Sequence, residues 1–142
     1  MADDDLRSVT LERLETGVYR ATNAAGAELV FGSMAESGFS PVELLLAAIG
    51  GCSAVDVDVV TGRHADHDRF EVVVEAEKMR DESGGNILRD IKMTFDVKFP
   101  DGEAGDKARE LLPRAVRTSH DRTCTVSRTV EAGTAVTVRI AD

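Results

Sequence analysis

Cysteine is the side chain in this sequence with the most reactive chemistry, and it occurs twice, as Cys52 and Cys124. Two cysteines are too few for the disulfide framework of a small secreted protein. In a reducing compartment, a functional pair is more often redox-active than structural. The alternative is that each thiol is a small buried hydrophobic group. The cysteine count alone leaves both interpretations open.

The two cysteines have different neighbours. Cys52 follows a run of apolar residues, whereas Cys124 lies in the polar segment 120–127, HDRTCTVS. We therefore expect Cys52 to be buried and Cys124 to be the more exposed thiol. In two-cysteine peroxidases, a peroxidatic thiolate is oxidised to a sulfenic acid, which a resolving thiol can capture as a disulfide. A buried first cysteine and a polar second one would suit that chemistry.

For Cys52 to be reactive, another part of the protein must stabilise its thiolate. Burial raises the pKa of a thiol, and Asp56, one helical turn further on, would also disfavour a thiolate. A cation must therefore be brought to the sulfur, and the candidates are Arg13, Arg20 and Arg122. For Arg20, the alternative is a solvated residue on a strand.

Metal, nucleic-acid and membrane binding are poorly indicated. No cysteine or further histidine has zinc spacing with the four possible ligands after the central helix, so we predict no metal site; these ligands are His64, Asp66, His67 and Asp68. The net charge of −9 would repel the phosphates of nucleic acids and of anionic membranes. His120, four residues before Cys124, would either hydrogen-bond that thiol or stay at the surface, and we expect the surface.

The central helix is the most strongly predicted of the elements that must position these residues. Ser40 is a suitable N-cap, Pro41 suits the first helical position, and Glu43 has capping-box spacing with Ser40. The helix should run to about Thr61 with apolar residues on all sides, which is typical of a buried helix. The glycines at 50–51 each cost about 1 kcal/mol relative to Ala. They indicate that a second helix or a substrate packs closely there.

The other elements follow from alternation, periodicity and turn signals. They are strands over residues 9–14, 17–21, 28–31, 70–79, 87–99 and 134–140, a hairpin turn at 23–26, a helix over 101–118 that Pro113 bends or divides, and a helical turn or two within 119–130. We expect one domain over residues 1–142, of the α+β class, with a mainly antiparallel sheet and a long buried central helix. The acidic N-terminus and the lack of a membrane-length apolar run predict a cytoplasmic protein.

Two motifs resemble a known family. Residues 40–52, SPVELLLAAIGGC, resemble the first cysteine motif of the OsmC/Ohr family of thiol-dependent peroxidases, and the continuation SAVDV is closest to the OsmC-like subgroup. Residues 122–127, RTCTVS, are similar to the second cysteine motif of that family. The order of the motifs and of the intervening elements agrees over nearly the whole chain. The resemblance implies an intertwined homodimer whose central helices pack together inside the sheets.

The resemblance also implies a function, the reduction of organic hydroperoxides in oxidative stress defence. Cys52 matches the peroxidatic cysteine and Cys124 the resolving one. The reductants would be dithiols of the lipoyl type, and no bound cofactor would be needed. The catalytic arginine of the family comes from the N-terminal hairpin, where Arg20 is the candidate. The catalytic glutamate of the family directly follows the helix-starting proline. Val42 holds that position here, and Glu43 is the nearest carboxylate.

Several alternatives remain beside this interpretation. Glu43 and Cys52 are nine residues apart, which places them on opposite faces of an ideal helix. Glu43 is therefore either a site residue or only a first-turn cap. The whole protein could also be a non-enzymatic redox-sensing or small-ligand-binding protein on the same dimeric fold. A third reading is a structural domain with two inert thiols.

Overall fold

A computed structural model describes residues 5–33, 36 and 38–141 of the protein. The fold is α+β with antiparallel sheets, as the sequence predicts. The chain divides into two compact units, one ending at Leu45 and the other beginning at Leu46. The candidate cysteines both belong to the second unit.

The first unit contains a three-stranded antiparallel sheet in chain order. The Asn23 side chain holds one of its turns, because its Oδ1 accepts hydrogen bonds from the backbone N–H groups of Ala25 and Ala27. Gly26 in this turn has a φ of 92°, which glycine adopts without a steric penalty. The three predicted strands are confirmed as β1 (Val9–Glu15), β2 (Val18–Asn23) and β3 (Glu28–Gly32).

The long helix α1 (Pro41–Gly62) begins where the sequence predicts. The Glu43 backbone N–H donates to Ser40 Oγ at 3.2 Å, and the Ser40 backbone N–H donates to Glu43 Oε1 at 2.9 Å. This reciprocal pair is the predicted capping box. It satisfies two backbone donors that would otherwise lack a partner at the start of α1.

Within the single chain, α1 buries one face. Its buried residues begin at the neighbours Ile49 and Gly50 and then recur three or four positions apart, at Ser53, Val57 and Thr61. On the opposite side Val59 remains 52% exposed. By length and composition alone α1 could cross a membrane, a test that the core helix of a soluble protein also passes. An apolar face of α1 is therefore left uncovered in one copy of the chain.

The second unit is built on the hairpin of β4 (Arg69–Arg80) and β5 (Asn86–Lys98). A Cβ at Gly50 would lie 2.6 Å from Val74 Cγ2, so β4 supplies the close packing that the glycines predict. We expected a second helix or a substrate next to these glycines, and at Gly50 the structure has strand β4 there instead. At Gly51, no described atom beyond its own stretch of helix lies within 4 Å of a Cβ position.

Helix α2 (Glu103–Thr118) follows and runs through Pro113 without interruption. Its first turn needs a glycine, because a Cβ at Gly105 would lie 1.7 Å from the Pro100 carbonyl oxygen. The core of this unit includes Val97, Phe99 and Ala108, where the end of the hairpin meets α2.

The last part of the chain positions Cys124. A π-helical segment (Ser119–Thr123) continues α2, and α3 (Thr125–Ala132) begins directly after Cys124. The helical turns predicted within residues 119–130 are thus confirmed. Residues 134–140, predicted as a strand, form no helix or strand in the part of the chain that the structure describes. Their alternating apolar side chains stay exposed, with Val136 at 87% and Ile140 at 93%, so burial does not stabilise a strand there.

Candidate active site

The structure brings the two cysteines together from distant parts of the second unit. Cys52 lies in the middle of α1, and Cys124 lies at the start of α3. Both thiols are free, and they interact closely enough for each to shift the pKa of the other. The two cysteines that we predicted from the sequence as a redox pair therefore interact with each other in the structure.

The exposure of the two thiols is the reverse of the expectation. Cys124 is 0% exposed, whereas Cys52 is only partly buried. The prediction that Cys124 is the more exposed thiol is therefore wrong. Its polar neighbours Arg122 and Thr123 do lie at the surface. The π-helical segment turns the next side chain inward, and a polar local sequence does not reveal this change of direction.

Hydrogen bonds surround the Cys124 sulfur. Cys124 is the N-cap of α3, and its Sγ accepts from the Ser127 backbone N–H at 3.5 Å. The Ser127 hydroxyl oxygen lies 3.3 Å from the same sulfur. Burial alone would raise the pKa of this thiol. The two Ser127 groups, with Cys52 and Ser53, outweigh burial and lower the pKa below its ordinary value.

The pKa of Cys52 is shifted in the opposite direction from that of Cys124. Burial raises the pKa of its thiol, and the neighbouring Cys124 raises it further. Backbone N–H groups of Val126 and Thr125 oppose these effects but do not cancel them. Within the second unit, Cys124 therefore loses its proton more readily than Cys52 does.

Asp56 has a different role from the one that its spacing suggests. The sequence places it one turn from Cys52, where it would disfavour a thiolate. In the structure, Asp56 Oδ2 accepts hydrogen bonds from the hydroxyls of Ser119 and Thr123, each at 2.8 Å. Ser119 also lies 2.9 Å from Ser53, oxygen to oxygen. Sequence reasoning missed these hydroxyl groups, because their bonds join residues more than sixty positions apart and leave no local signal.

The remaining predicted site residues belong to the first unit. Arg20 on β2 forms ion pairs with Glu12 of β1 and with Glu28 of β3, the latter at 3.9 Å. The Glu43 carboxylate accepts from the Ser40 backbone in the capping box. Arg13, another candidate cation, donates to Thr16 Oγ1 at 3.0 Å. A role of Arg20 or Glu43 at Cys52 stays a prediction.

The histidines are held by other contacts. His67 Nε2 lies 2.9 Å from Thr61 Oγ1. The His67 ring packs edge-to-face against Phe70 and at a tilt of 39° against Phe99. Since the Thr61 hydroxyl donates to the Val57 carbonyl, His67 must be the donor to Thr61. Among the described residues, no group of three or more His, Cys, Asp or Glu side chains is arranged to hold a metal ion.

His120 is a surface residue, as predicted. Its two ring nitrogens lie 2.9 Å from Asp121 Oδ1 and 3.1 Å from Glu131 Oε1. Hydrogen bonds that the ring donates to the carboxylates of Asp121 and Glu131 raise the pKa of the imidazole. The predicted alternative, a hydrogen bond from His120 to Cys124, is not the arrangement seen.

A cavity of about 250 Å³ lies beside the thiol pair. Ser53 and Ser127, which both contact Cys124, are part of its wall. Most of the remaining wall is apolar, with Ile91, Met93 and Phe95 from β5. An apolar group of modest size would fit next to the serines that surround Cys124.

Comparison with known proteins identifies the family. The sequence profile of the OsmC-like protein family matches residues 34–139, which include both cysteines. The chain belongs to the OsmC-like family. This OsmC-like chain is 29% identical, over 134 residues, to an uncharacterized protein of Mycobacterium tuberculosis, covering 93% of this chain and 94% of that protein.

Solved structures agree with this OsmC-like fold. An OsmC-like protein of unknown function from Vibrio cholerae has a TM-score of 0.74 at 11% identity, covering 89% of this chain and 94% of that one. The organic hydroperoxide resistance protein OhrB of Bacillus subtilis has a TM-score of 0.53 at 23% identity, covering 88% and 90%. At these identities the two structures establish the fold of the chain.

Proposed function

We propose that the protein is a thiol peroxidase that reduces organic hydroperoxides in defence against oxidative stress. The observation that carries this proposal is the interaction of the Cys52 and Cys124 thiols across the second unit. Two free thiols that interact with each other are placed to form a disulfide. That is the requirement for a peroxidatic and resolving pair.

The proposed cycle has three balanced steps. The Cys52 thiolate attacks the terminal oxygen of the hydroperoxide, and the O–O bond breaks. Cys52 becomes a sulfenic acid, and the alkoxide takes a proton and leaves as an alcohol. Cys124 then attacks the Cys52 sulfur to form a disulfide and release water. A dithiol, which the family resemblance suggests is of the lipoyl type, reduces this disulfide to two thiols and becomes a cyclic disulfide.

The solvent exposure of each thiol determines which cysteine can react with the hydroperoxide. Cys124 is 0% exposed, so a hydroperoxide cannot reach it, whereas the Cys52 side chain is partly exposed.

Because the second unit raises the pKa of Cys52, its thiolate needs a cation from outside that unit. We propose Arg20 for this role. The carboxylate of Glu43 we assign to the capping box instead, because its oxygen is already engaged there.

The proposed enzyme is a cytoplasmic homodimer. One chain leaves apolar residues uncovered on α1, including Val55 and Val59, and in the segment after α3, including Val136 and Ile140. A second copy of the same chain would cover the α1 face if two α1 helices packed together. The same packing would place Cys52 beside the interface.

Hydroperoxide consumption with a dithiol reductant tests this proposal. The wild type should turn over cumene hydroperoxide with dihydrolipoate, and Cys52→Ser should abolish that turnover. Cys124→Ser keeps an oxygen that can cap α3, so it should fold normally, react once and then stall as a Cys52 sulfenic acid. Turnover by Cys52→Ser at the wild-type rate would refute the proposal.

The cavity of about 250 Å³ favours a second candidate function, the binding of a small apolar ligand without catalysis. Its apolar wall does not depend on Cys52. Ligand-dependent thermal stabilisation that survives Cys52→Ala, together with a wild type that consumes no hydroperoxide, would favour this candidate. Loss of hydroperoxide turnover in Cys52→Ser would exclude it as the sole function.

A further inference from the structure

Asp56 contacts both ends of the π-helical segment that precedes Cys124. The segment spans Ser119–Thr123, and the hydroxyls of its first and last residues each donate to Asp56 Oδ2 at 2.8 Å. A carboxylate only accepts, so the direction of both hydrogen bonds is fixed. We call these two hydrogen bonds the Asp56 anchor. Through the Asp56 anchor, one side chain of α1 holds a segment that lies more than sixty residues further along the chain.

The two anchored residues are both bonded to Cys124. Thr123 directly precedes Cys124 in the chain, so a peptide bond joins them. The Cys124 backbone N–H donates to the Ser119 carbonyl at 2.8 Å, which is the i to i+5 hydrogen bond of a π-helical turn. A displacement of Ser119 or Thr123 would therefore displace Cys124 as well.

Ser53 adds a second contact between α1 and Ser119. Their hydroxyl oxygens lie 2.9 Å apart, and both residues are 1% exposed. Because the hydrogen of Ser119 is donated to Asp56, Ser53 is the donor in this pair. A buried hydroxyl that loses its partner has no water to replace it, so displacement of Ser119 from α1 is unfavourable.

The Asp56 anchor and Cys52 belong to the same helix. Asp56 lies four residues after Cys52 on α1, which places the two on one face of the helix, about 6 Å apart along its axis. The position of Cys52 is set by α1 directly. The position of Cys124 is set by the hydrogen bonds that join the π-helical segment to α1. One helix therefore positions both thiols.

We propose that Asp56 is a positioning residue that holds Cys124 beside Cys52 for disulfide formation. The proposal deepens the peroxidase cycle and rests on it for the role of Cys124 as the resolving cysteine. Without the Asp56 anchor, the π-helical segment would be held less tightly. Closing the disulfide would then cost more conformational entropy, because the two sulfurs would be brought together from a wider range of positions.

The equilibrium between the two thiols and their disulfide tests this role without peroxide. Oxidised glutathione takes two electrons and two protons from Cys52 and Cys124 and becomes two molecules of reduced glutathione. Acid quenching, alkylation of the remaining thiols and intact mass give the oxidised fraction at each glutathione ratio. A loss of stability that affects the thiol and disulfide forms equally leaves this equilibrium constant unchanged. The constant therefore reports how well the thiols are positioned.

Variants of Asp56 separate its hydrogen bonds from its charge. Asp56→Ala removes both hydrogen bonds, and we expect the constant for disulfide formation to fall about tenfold, or about 1.4 kcal/mol. Asp56→Asn removes the charge but keeps an acceptor oxygen, so its constant should stay within about threefold of the wild type. An unchanged constant in Asp56→Ala would overturn the proposal. A loss in Asp56→Asn as large as that in Asp56→Ala would also overturn it, because the charge would then be responsible.

Asp58→Ala is the matched control for Asp56→Ala. Asp58 is an exposed carboxylate on the same helix, and its Oδ1 lies 3.6 Å from His67 Nδ1, away from the π-helical segment. Its removal should leave the constant for disulfide formation at the wild-type value. A loss in Asp58→Ala equal to that in Asp56→Ala would overturn the proposal.

Thr123→Val keeps the test decisive if Asp56→Ala does not fold. Thr123 is exposed and valine has nearly the same shape, so this variant should fold while it loses one of the two hydrogen bonds. We expect its constant to fall about threefold. Thr129→Val, at an exposed position of α3 where the hydroxyl donates to the Thr125 carbonyl, should keep the wild-type constant. Equal constants for Thr123→Val and Thr129→Val would overturn the proposal.

Failure of the positioning role and failure of the peroxidase give different results. A wild type whose disulfide equilibrium depends on Asp56 as expected, but which consumes no organic hydroperoxide, would refute the peroxidase alone. A wild type that consumes hydroperoxide, with an unchanged disulfide equilibrium in Asp56→Ala, would refute the positioning role alone.

Discussion

Cys124 has two functions at one position, since it caps α3 and faces the Cys52 thiol. An N-cap is usually a serine, threonine, asparagine or aspartate oxygen that accepts from the first backbone N–H groups of the helix. A sulfur in this place is a weak acceptor as a thiol and a stronger one as a thiolate. The first turn of α3 therefore favours the ionised form of Cys124.

Variants of Glu43 distinguish a helix-capping role of this residue from a catalytic role. In the capping box, a glutamine serves as well as a glutamate, so Glu43→Gln should keep both the stability and the hydroperoxide turnover of the wild type. Glu43→Ala should lose about 0.5–1 kcal/mol of unfolding free energy with the cap. Urea unfolding and turnover measured on the same preparations check this. A Glu43→Gln protein of normal stability without turnover would contradict the capping assignment.

Local signals made the start of α1 predictable, whereas the surroundings of Cys124 were not. Ser40, Pro41 and Glu43 lie within four consecutive residues, and their side chains act on the backbone next to them. The burial of Cys124 depends on the π-helical segment and on contacts with α1, far away in the sequence. Gly50 is an intermediate case. Its close packing was predictable from the sequence, but the identity of its partner, strand β4, was not.

At the scale of elements, the π-helical segment connects α2 to α3 and carries both buried and exposed residues. Ser119 at its start points inward to Ser53 and Asp56. His120, the next residue, points outward to Glu131 near the end of α3. The segment thus fixes the position of α3 relative to α1 from two sides. π-helical turns inside longer helices frequently occur at functional sites.

The His120 contact predicts a pH dependence of stability. Hydrogen bonds from the His120 ring to the carboxylates of Asp121 and Glu131 raise the pKa of His120 in the folded protein. A histidine with a raised pKa contributes its stability fully below its unfolded pKa of about 6.5 and loses it as the pH rises through the folded value. His120→Gln should therefore be less stable than the wild type near pH 5. The difference should stay below about 1 kcal/mol because the pair is half exposed.

The same comparison at alkaline pH should show no difference, because His120 is then neutral in both states. His64→Gln, in the exposed loop after α1, is the matched control and should follow the wild type at both pH values. Chemical unfolding at acidic and alkaline pH measures the effect. An equal loss for His120→Gln at both pH values would show that packing, and not the charge of His120, holds the segment.

At the scale of the whole molecule, one copy of the chain leaves too much apolar surface open. The exposed face of α1 carries Val55 and Val59, and residues 134–140 alternate apolar and polar side chains without a partner strand. Exposed apolar surface of this extent is typical of a protein interface. The homodimer proposal assigns the α1 face to a second copy.

A charge on that face should separate the copies. Val59→Glu places a carboxylate where the single chain is 52% exposed, so the monomer should fold normally while the dimer loses its interface. Lys107→Glu, at an exposed position on α2, is the control and should leave the dimer intact. Size-exclusion chromatography with light scattering distinguishes the two. A Val59→Glu protein that stays dimeric would place the interface elsewhere.

If Cys52 and Cys124 form a peroxidatic and resolving pair, one equivalent of cumene hydroperoxide should change the intact mass of the protein in a defined way. The wild type should lose two hydrogens, and proteolytic mapping should show a disulfide between Cys52 and Cys124. Cys124→Ser should gain one oxygen at Cys52 instead. A wild type that keeps both thiols unchanged in excess hydroperoxide would contradict the claim.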